Sequence, residues 1–201
     1  MHRNFPRSPA VAAVLWVLLS MLAWPTLAGD PKSLTAMVIT ARPQVGDEDF
    51  GGSIVLVMNN LGPAPIGVII NRPTPVSVAQ LFPDIKSLAS LPDRVYFGGP
   101  VEITSVWFLF RADKVPKHAI QALDGLCISG SRELLLQLLG RPKPMEGLRI
   151  FTGHSGWAPG QLEAEIARGD WSAERASPDA VFSGRSEHPW PAPDQGPKSR
   201  T

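Results

Sequence analysis

Cysteine is nearly missing from this chain: Cys127 is the only one in 201 residues. An internal disulfide and a cysteine-built zinc site are therefore excluded. Its neighbours Leu126 and Ile128 place Cys127 in a buried strand, as an inert core residue. Charge of one sign is equally scarce. The formal net charge is +1, and residues 1–28 contribute Arg3 and Arg7 with no acid, so the remainder carries 17 basic and 18 acidic groups. That balance gives no electrostatic case for nucleic acid or an anionic membrane as partner. After residue 28 the histidines are only His118, His154 and His188. Metal ligands normally arrive as close pairs, so no metal or cofactor is expected. There is no internal repeat and no clear helix-turn-helix.

What is present describes one globular domain. A hydrophobic content of 44% against 18% charge is enough for a real core, and the length suits a single domain. Proline is abundant: 18 of the 21 lie after residue 28, about twice the usual 5%. Rigid turns with short elements between them are the expected result.

The first 28 residues form a recognisable leader. Arg3 and Arg7 precede an apolar run from Ala10 to Trp24, and Pro25 leads to Thr26-Leu27-Ala28, with small residues where a signal peptidase reads. A membrane-spanning helix needs about 20 apolar residues, more than this run supplies, and no lipid-acceptor cysteine follows. Cleavage after Ala28 is expected, giving a periplasmic or secreted protein with no stable anchor. The alternative is a cytoplasmic protein whose leader is not cleaved or whose start is misassigned.

The domain is expected over 29–182, with a Pro/Gly-rich tail over 183–201 expected to be disordered apart from a docking Trp190. Leu34–Thr40 reads as an edge strand or packed arm. Ser53–Met58 is an uninterrupted β-rich apolar run, a strand covered on both faces. Asn59-Asn60-Leu61-Gly62-Pro63 is turn chemistry, and Ile66–Ile70 completes a hairpin. Thr74 is expected to cap a short helix with Pro75 at its first position and Leu81-Phe82 packed inward. Further strands are read at Arg94–Phe97, Val106–Phe110, Leu126–Ser129 and Leu148–Thr152. Ser131 caps a helix over Arg132–Leu139, closed by Gly140. A glycine-rich loop, Gly153–Gly160, precedes a helix over Gln161–Arg168 that stops at Gly169. Strands outnumber helices without regular alternation, which gives an α+β class.

Three clusters are candidate binding residues. Asn71-Arg72-Pro73 follows a buried strand, where Arg72 would hold a carboxylate or phosphate; a plain turn is the alternative. Gly98-Gly99-Pro100 permits positive φ or close backbone approach. The third runs from Gly153 through Gly156, Trp157, Gly160, Gln161 and Glu163. A helix start there offers backbone N–H groups to an anion, unless Glu163 satisfies them itself. Trp157 is either a loop anchor or a pocket wall. His154-Ser155 invites a hydrolase reading, but a nucleophile elbow needs glycine two residues after the serine, and Trp157 stands there.

These clusters, in this order, resemble the AlgH/YqgE family of uncharacterised bacterial proteins. The pieces are Phe50, Gly67-Val68-Ile69-Ile70-Asn71-Arg72-Pro73, Phe97-Gly98-Gly99-Pro100-Val101, Gly156-Trp157, Gly160-Gln161-Leu162-Glu163, Glu165-Ile166, Trp171, Asp179 with Phe182, and Trp190. The resemblance spans roughly 34–190. It implies a single α+β domain of coiled, partly split β-sheets flanked by a few short helices. It implies no established reaction, although some members are labelled transcriptional regulators and members are generally read as cytoplasmic. The chain departs from the family pattern at Asn59-Asn60, Ala64-Pro65, Thr104-Ser105-Val106, Leu109-Phe110 and His154-Ser155. The combined expectation is a non-enzymatic exported domain that binds a small anionic ligand, a peptide or a protein partner. A transcriptional regulator, or a hydrolase using Ser155 and His154, is the alternative.

Overall fold

A computed structural model describes residues 36–42 and 50–182. The leader, its cleavage site and the tail with Trp190 lie outside the described residues. Ten strands are present: β1 (Ala36–Ala41), β2 (Ile54–Met58), β3 (Ile66–Ile69), β4 (Pro73–Ser77), β5 (Arg94–Phe97), β6 (Val101–Arg111), β7 (Ile120–Leu123), β8 (Leu126–Ser129), β9 (Leu148–Gly156) and β10 (Trp171–Arg175). Among the described residues four short α-helices accompany them, α1 (Val78–Leu81), α2 (Arg132–Leu139), α3 (Gln161–Arg168) and α4 (Pro178–Phe182), with one 3-10 turn at Lys86–Leu88. The strands lie in the order β10-β1-β2-β3-β9-β6-β8-β7, with β4 and β5 attached through β5 and β9. All pairings are antiparallel except β5 with β9. The sheet curls into a half-barrel, a mixed α+β single domain.

β9 organises the curl. Its first part pairs with β6 and, at Phe151 and Thr152, with β5; its end pairs with β3 at Ser155 and Gly156. Three apolar groups fill the layers. One packs α1 and α2 on Phe108, Phe110 and Ile150. In a second, Val38, Leu56, Leu109 and Phe151 meet Val181 of α4. The third packs Met37, Ile39 and Val57 beneath Trp157, Leu162 and Trp171. Burying each large aliphatic side chain contributes roughly 2 kcal/mol.

Several expectations hold. β2 is buried nearly throughout, the β2–β3 hairpin forms, and Ser131 Oγ accepts from Leu134 N at the start of α2. Gly169 closes α3 in the left-handed conformation. Cys127 is buried in β8, and burial pushes its thiol pKa above the ordinary value.

Others are corrected. β1 is not an edge strand: it lies between β10 and β2, because its alternate residues are apolar toward both faces. Thr74 caps nothing; it is buried in β4, and its hydroxyl donates to Val95 O at 2.7 Å. The cap of α1 is Ser77, in a capping box with Gln80, and Leu81 is exposed while Phe82 packs inward. Gly140 ends α2 without a left-handed turn, at φ −78°. β6 begins at Val101, earlier than expected, and the glycine-rich loop is shorter, since Gly153 to Gly156 belong to β9.

Candidate functional site

The sequence clusters converge where β3, β5 and β9 cross. Ile69 N donates to Gly98 O (2.9 Å), Phe97 N to Arg72 O (2.8 Å) and Gly98 N to Thr152 O (2.8 Å). Ser155 Oγ adds a bond to Gly98 O at 3.1 Å. The approach leaves no room for side chains. A Cβ on Gly98 would sit 2.3 Å from Gly153 O, and one on Gly99 would sit 2.4 Å from the His154 carbonyl and from Ser155 Oγ. Gly99 also holds φ +147° and Gly153 φ +68°, values that L side chains rarely adopt.

Asn71 and Arg72 are only 3% and 5% exposed, and both brace the turn before β2. Asn71 Oδ1 accepts from Ile54 N (2.9 Å) while its Nδ2 donates to Gly52 O (3.0 Å). Arg72 Nη2 donates to Gly51 O at 2.9 Å. The guanidinium expected to meet a ligand is thus directed at the chain's own backbone.

Beyond the crossing, Gly156 is exposed and Trp157 is buried, its ring edge-on to Trp171 at 6.4 Å between centroids. Glu165 ties the two together. Its Oε2 accepts from Trp157 Nε1 and Trp171 Nε1, each at 2.9 Å, and its Oε1 accepts from Gln161 Nε2 at 2.8 Å. Gln161 Oε1 accepts from Ala158 N (3.0 Å), closing the first turn of α3, while Gly160 takes the left-handed conformation before it. Glu163 Oε2 is buried and, among the described residues, has no hydrogen-bond partner. It lines a cleft of about 270 Å³ with Asn59, Pro63 and Gly160. A carboxylate there opposes binding of an anion to the helix start.

His154 and Ser155 are successive residues of β9, and a strand sends successive side chains to opposite faces. The Ser155 hydroxyl is buried on Gly98 O, whereas the His154 ring stands edge-on to Trp107 at 5.9 Å. They do not form a base–nucleophile pair. Among the described residues no three His, Cys, Asp or Glu side chains gather to hold a metal ion, and no helix is long and apolar enough to cross a membrane.

Sequence reasoning missed a cleft of about 710 Å³ beside the crossing, lined by Pro73, Thr74, Pro75, Asp93, Arg94, Tyr96, Met145, Arg149 and Phe182 among others. Arg94 is exposed, with Nη1 donating to Pro75 O at 2.6 Å. Arg149 lies 4.3 Å over the Tyr96 ring, and its Nη1 donates to Ile70 O (2.7 Å) and Val181 O (2.6 Å). A lone arginine within the apolar run of β9 was the available signal. At the far rim Arg111 meets Asp179 at 2.5 Å and stacks 5.0 Å from the Phe182 ring centroid.

A family model described as AlgH-like matches residues 38–193. The chain belongs to the AlgH-like family. A UPF0301 protein of Anaeromyxobacter sp. strain Fw109-5 is 36% identical over 172 residues, covering 80% of this chain and 86% of the relative. Another, from Myxococcus xanthus, is 34% identical over 163 residues, with 79% and 88% covered. Among solved structures, the AlgH protein from Pseudomonas aeruginosa superimposes with a TM-score of 0.61 at 25% identity, over 78% of this chain and 84% of that one. Protein DIP2367 from Corynebacterium diphtheriae gives 0.57 at 30% identity, over 73% and 78%. The AlgH-like family is of uncharacterised function. Its glycine pairs and Gly156-Trp157 string occupy, in this member, the crossing and the α3 anchor, so they mark how the chain folds back through itself.

Proposed function

We propose that this AlgH-like protein is an exported, non-catalytic binding domain, and that it holds a small anionic ligand or an acidic peptide in the cleft under Arg94. The observation that carries the reading is the cleft itself. Its volume of about 710 Å³ falls within the roughly 300–1,000 Å³ of small-molecule sites. An exposed guanidinium at its rim suits bidentate contact with a carboxylate or phosphate, and the bond to Pro75 O fixes the direction of Arg94. Tyr96, Met145 and Phe182 offer apolar surface for the rest of the ligand, and Asp93 adds an acceptor for an N–H or O–H. Asn71 and Arg72 act as positioning residues, since they anchor the strand end from which β4 and its prolines enter the cleft wall.

The non-catalytic part of the reading is supported by the local geometry, in which the Ser155 hydroxyl serves a backbone carbonyl. The export part is supported by the leader, through Arg3, Arg7 and the apolar run that follows. A thermal-shift screen of the purified protein against dicarboxylates, inorganic phosphate and acidic peptides tests the binding. A ligand at a hundred times its Kd stabilises by about 2.7 kcal/mol, and Arg94→Ala should abolish the shift without lowering the unliganded Tm. No shift with any of these probes overturns the binding reading. Fractionation with N-terminal sequencing tests export separately, the expected new terminus being Gly29.

A further inference from the structure

β10 forms one border of the curled sheet. It pairs with β1 in antiparallel register, Thr40 opposite Ser172 and Val38 opposite Glu174. The bond from Arg42 N to Asp170 O, 3.0 Å, sets the phase of that ladder. Residues 170, 172 and 174 direct their N–H and C=O toward β1, so Trp171, Ala173 and Arg175 direct theirs outward. The other side of β1 agrees, since Ala41 N donates to Ser53 O across β2. Among the described residues no strand pairs with the outward edge, and Ser172 to Arg175 are exposed. The strand holds no proline and its register is unbroken, so two common guards of an edge are lacking.

We propose that this edge pairs antiparallel with the β10 edge of a second copy of the chain, about a twofold axis at Ala173. In that register Ala173 faces Ala173, Trp171 faces Arg175 and Ser172 faces Glu174. The outward groups then exchange about six backbone hydrogen bonds. The charge pattern selects this register over its neighbours of the same phase. A shift of two residues one way sets Glu174 opposite Glu174. The same shift the other way sets Asp170 opposite Glu174. Like charges directly opposite are destabilising, whereas the chosen register gives each Glu174 carboxylate a Ser172 hydroxyl as donor. Self-complementarity of this kind identifies a copy of the same chain as the occupant. The strand is short, so the association is weak and concentration-dependent.

Sedimentation equilibrium of the purified protein between roughly 10 μM and 1 mM covers the range expected for a small interface. The mass average should climb toward twice the monomer as concentration rises. Ser172→Glu places a carboxylate opposite each Glu174 and should weaken association by about tenfold or more. Adding Glu174→Lys to that variant should restore it. Ala173→Pro removes an outward N–H at a position where an edge strand tolerates proline and should give a monomer whose melting temperature stays near the parent's. If Ala173→Pro melts early, the charge-reversal pair decides alone. A parent that stays monomeric across the range overturns the proposal, as does a Ser172→Glu variant that associates unchanged or a double variant that is not rescued.

Discussion

Replacing Glu165 with alanine removes the acceptor shared by two buried indoles. Trp157 and Trp171 are 7% and 5% exposed, and both donate to Glu165 Oε2 at 2.9 Å. A buried donor left without a partner costs about 1–3 kcal/mol, and Glu165 is itself only half-buried, so water reaches part of the gap. The two orphaned N–H groups together give an expected loss of about 2–4 kcal/mol. In a protein of this size each kcal/mol lowers Tm by about 2–4 °C, which calorimetry resolves easily. Glu165→Gln is the informative partner variant. Its amide oxygen still accepts from both indoles, but its new NH₂ faces Gln161 Nε2, whose own amide oxygen is held by Ala158 N, so the bond between the two side chains is lost. Charge assistance and that one half-exposed bond are lost while both buried indoles stay satisfied, so a cost smaller than alanine's, about 1–2 kcal/mol, is expected. Equal destabilisation by alanine and glutamine, or a loss below about 1 kcal/mol for alanine, would refute the reasoning. The third apolar group would then be holding the anchor without help from the carboxylate.

Other substitutions probe the rest of the architecture. Gly98→Ala forces a methyl to within 2.3 Å of Gly153 O and is expected to cost more than about 3 kcal/mol in urea unfolding. Gly156→Ala, with nothing within 4 Å of the added methyl, should stay within about 0.5 kcal/mol of the parent. Asn71→Ala leaves Ile54 N and Gly52 O without their side-chain partner and should cost about 1–3 kcal/mol. Cys127, buried and with its thiol pKa raised by desolvation, should react with iodoacetamide only as fast as the protein unfolds. Rapid labelling of the native state would contradict its placement in β8.

The parts of the fold legible in the sequence were those with a local physical signature. Ser131 before an apolar, leucine-rich stretch fixed the start of α2, and a continuous run of apolar residues fixed β2. β10 escaped because four of its five residues are exposed, leaving no alternation to read. β7 escaped although Asp124-Gly125 is a two-residue hairpin connection, with Gly125 at φ +74°. Pro75 misled by mimicking a first helical position, when its lack of an N–H equally suits an edge strand such as β4. At the candidate site, positive φ or close backbone approach was legible for Gly98-Gly99, but not that the neighbouring backbone is Gly153, which had been placed in a loop and lies in β9. Arg72 was read as a ligand grip because nothing local reveals that Gly51, 21 positions away, takes its proton donor. Glu163 and Glu165 look alike in sequence; only the rotation of α3 against Trp171 decides which one is the anchor.

The central place of β9 has a consequence for biogenesis. A nascent chain that ends before Leu148 has made β3, β5 and β6 but not the strand that all three border. It also lacks β10, the partner of β1. Such a fragment exposes unsatisfied hydrogen-bonding rows that only the strands from Leu148 onward cover. Completion of the half-barrel therefore waits for those strands, with slow kinetics of the kind that distant strand pairings impose.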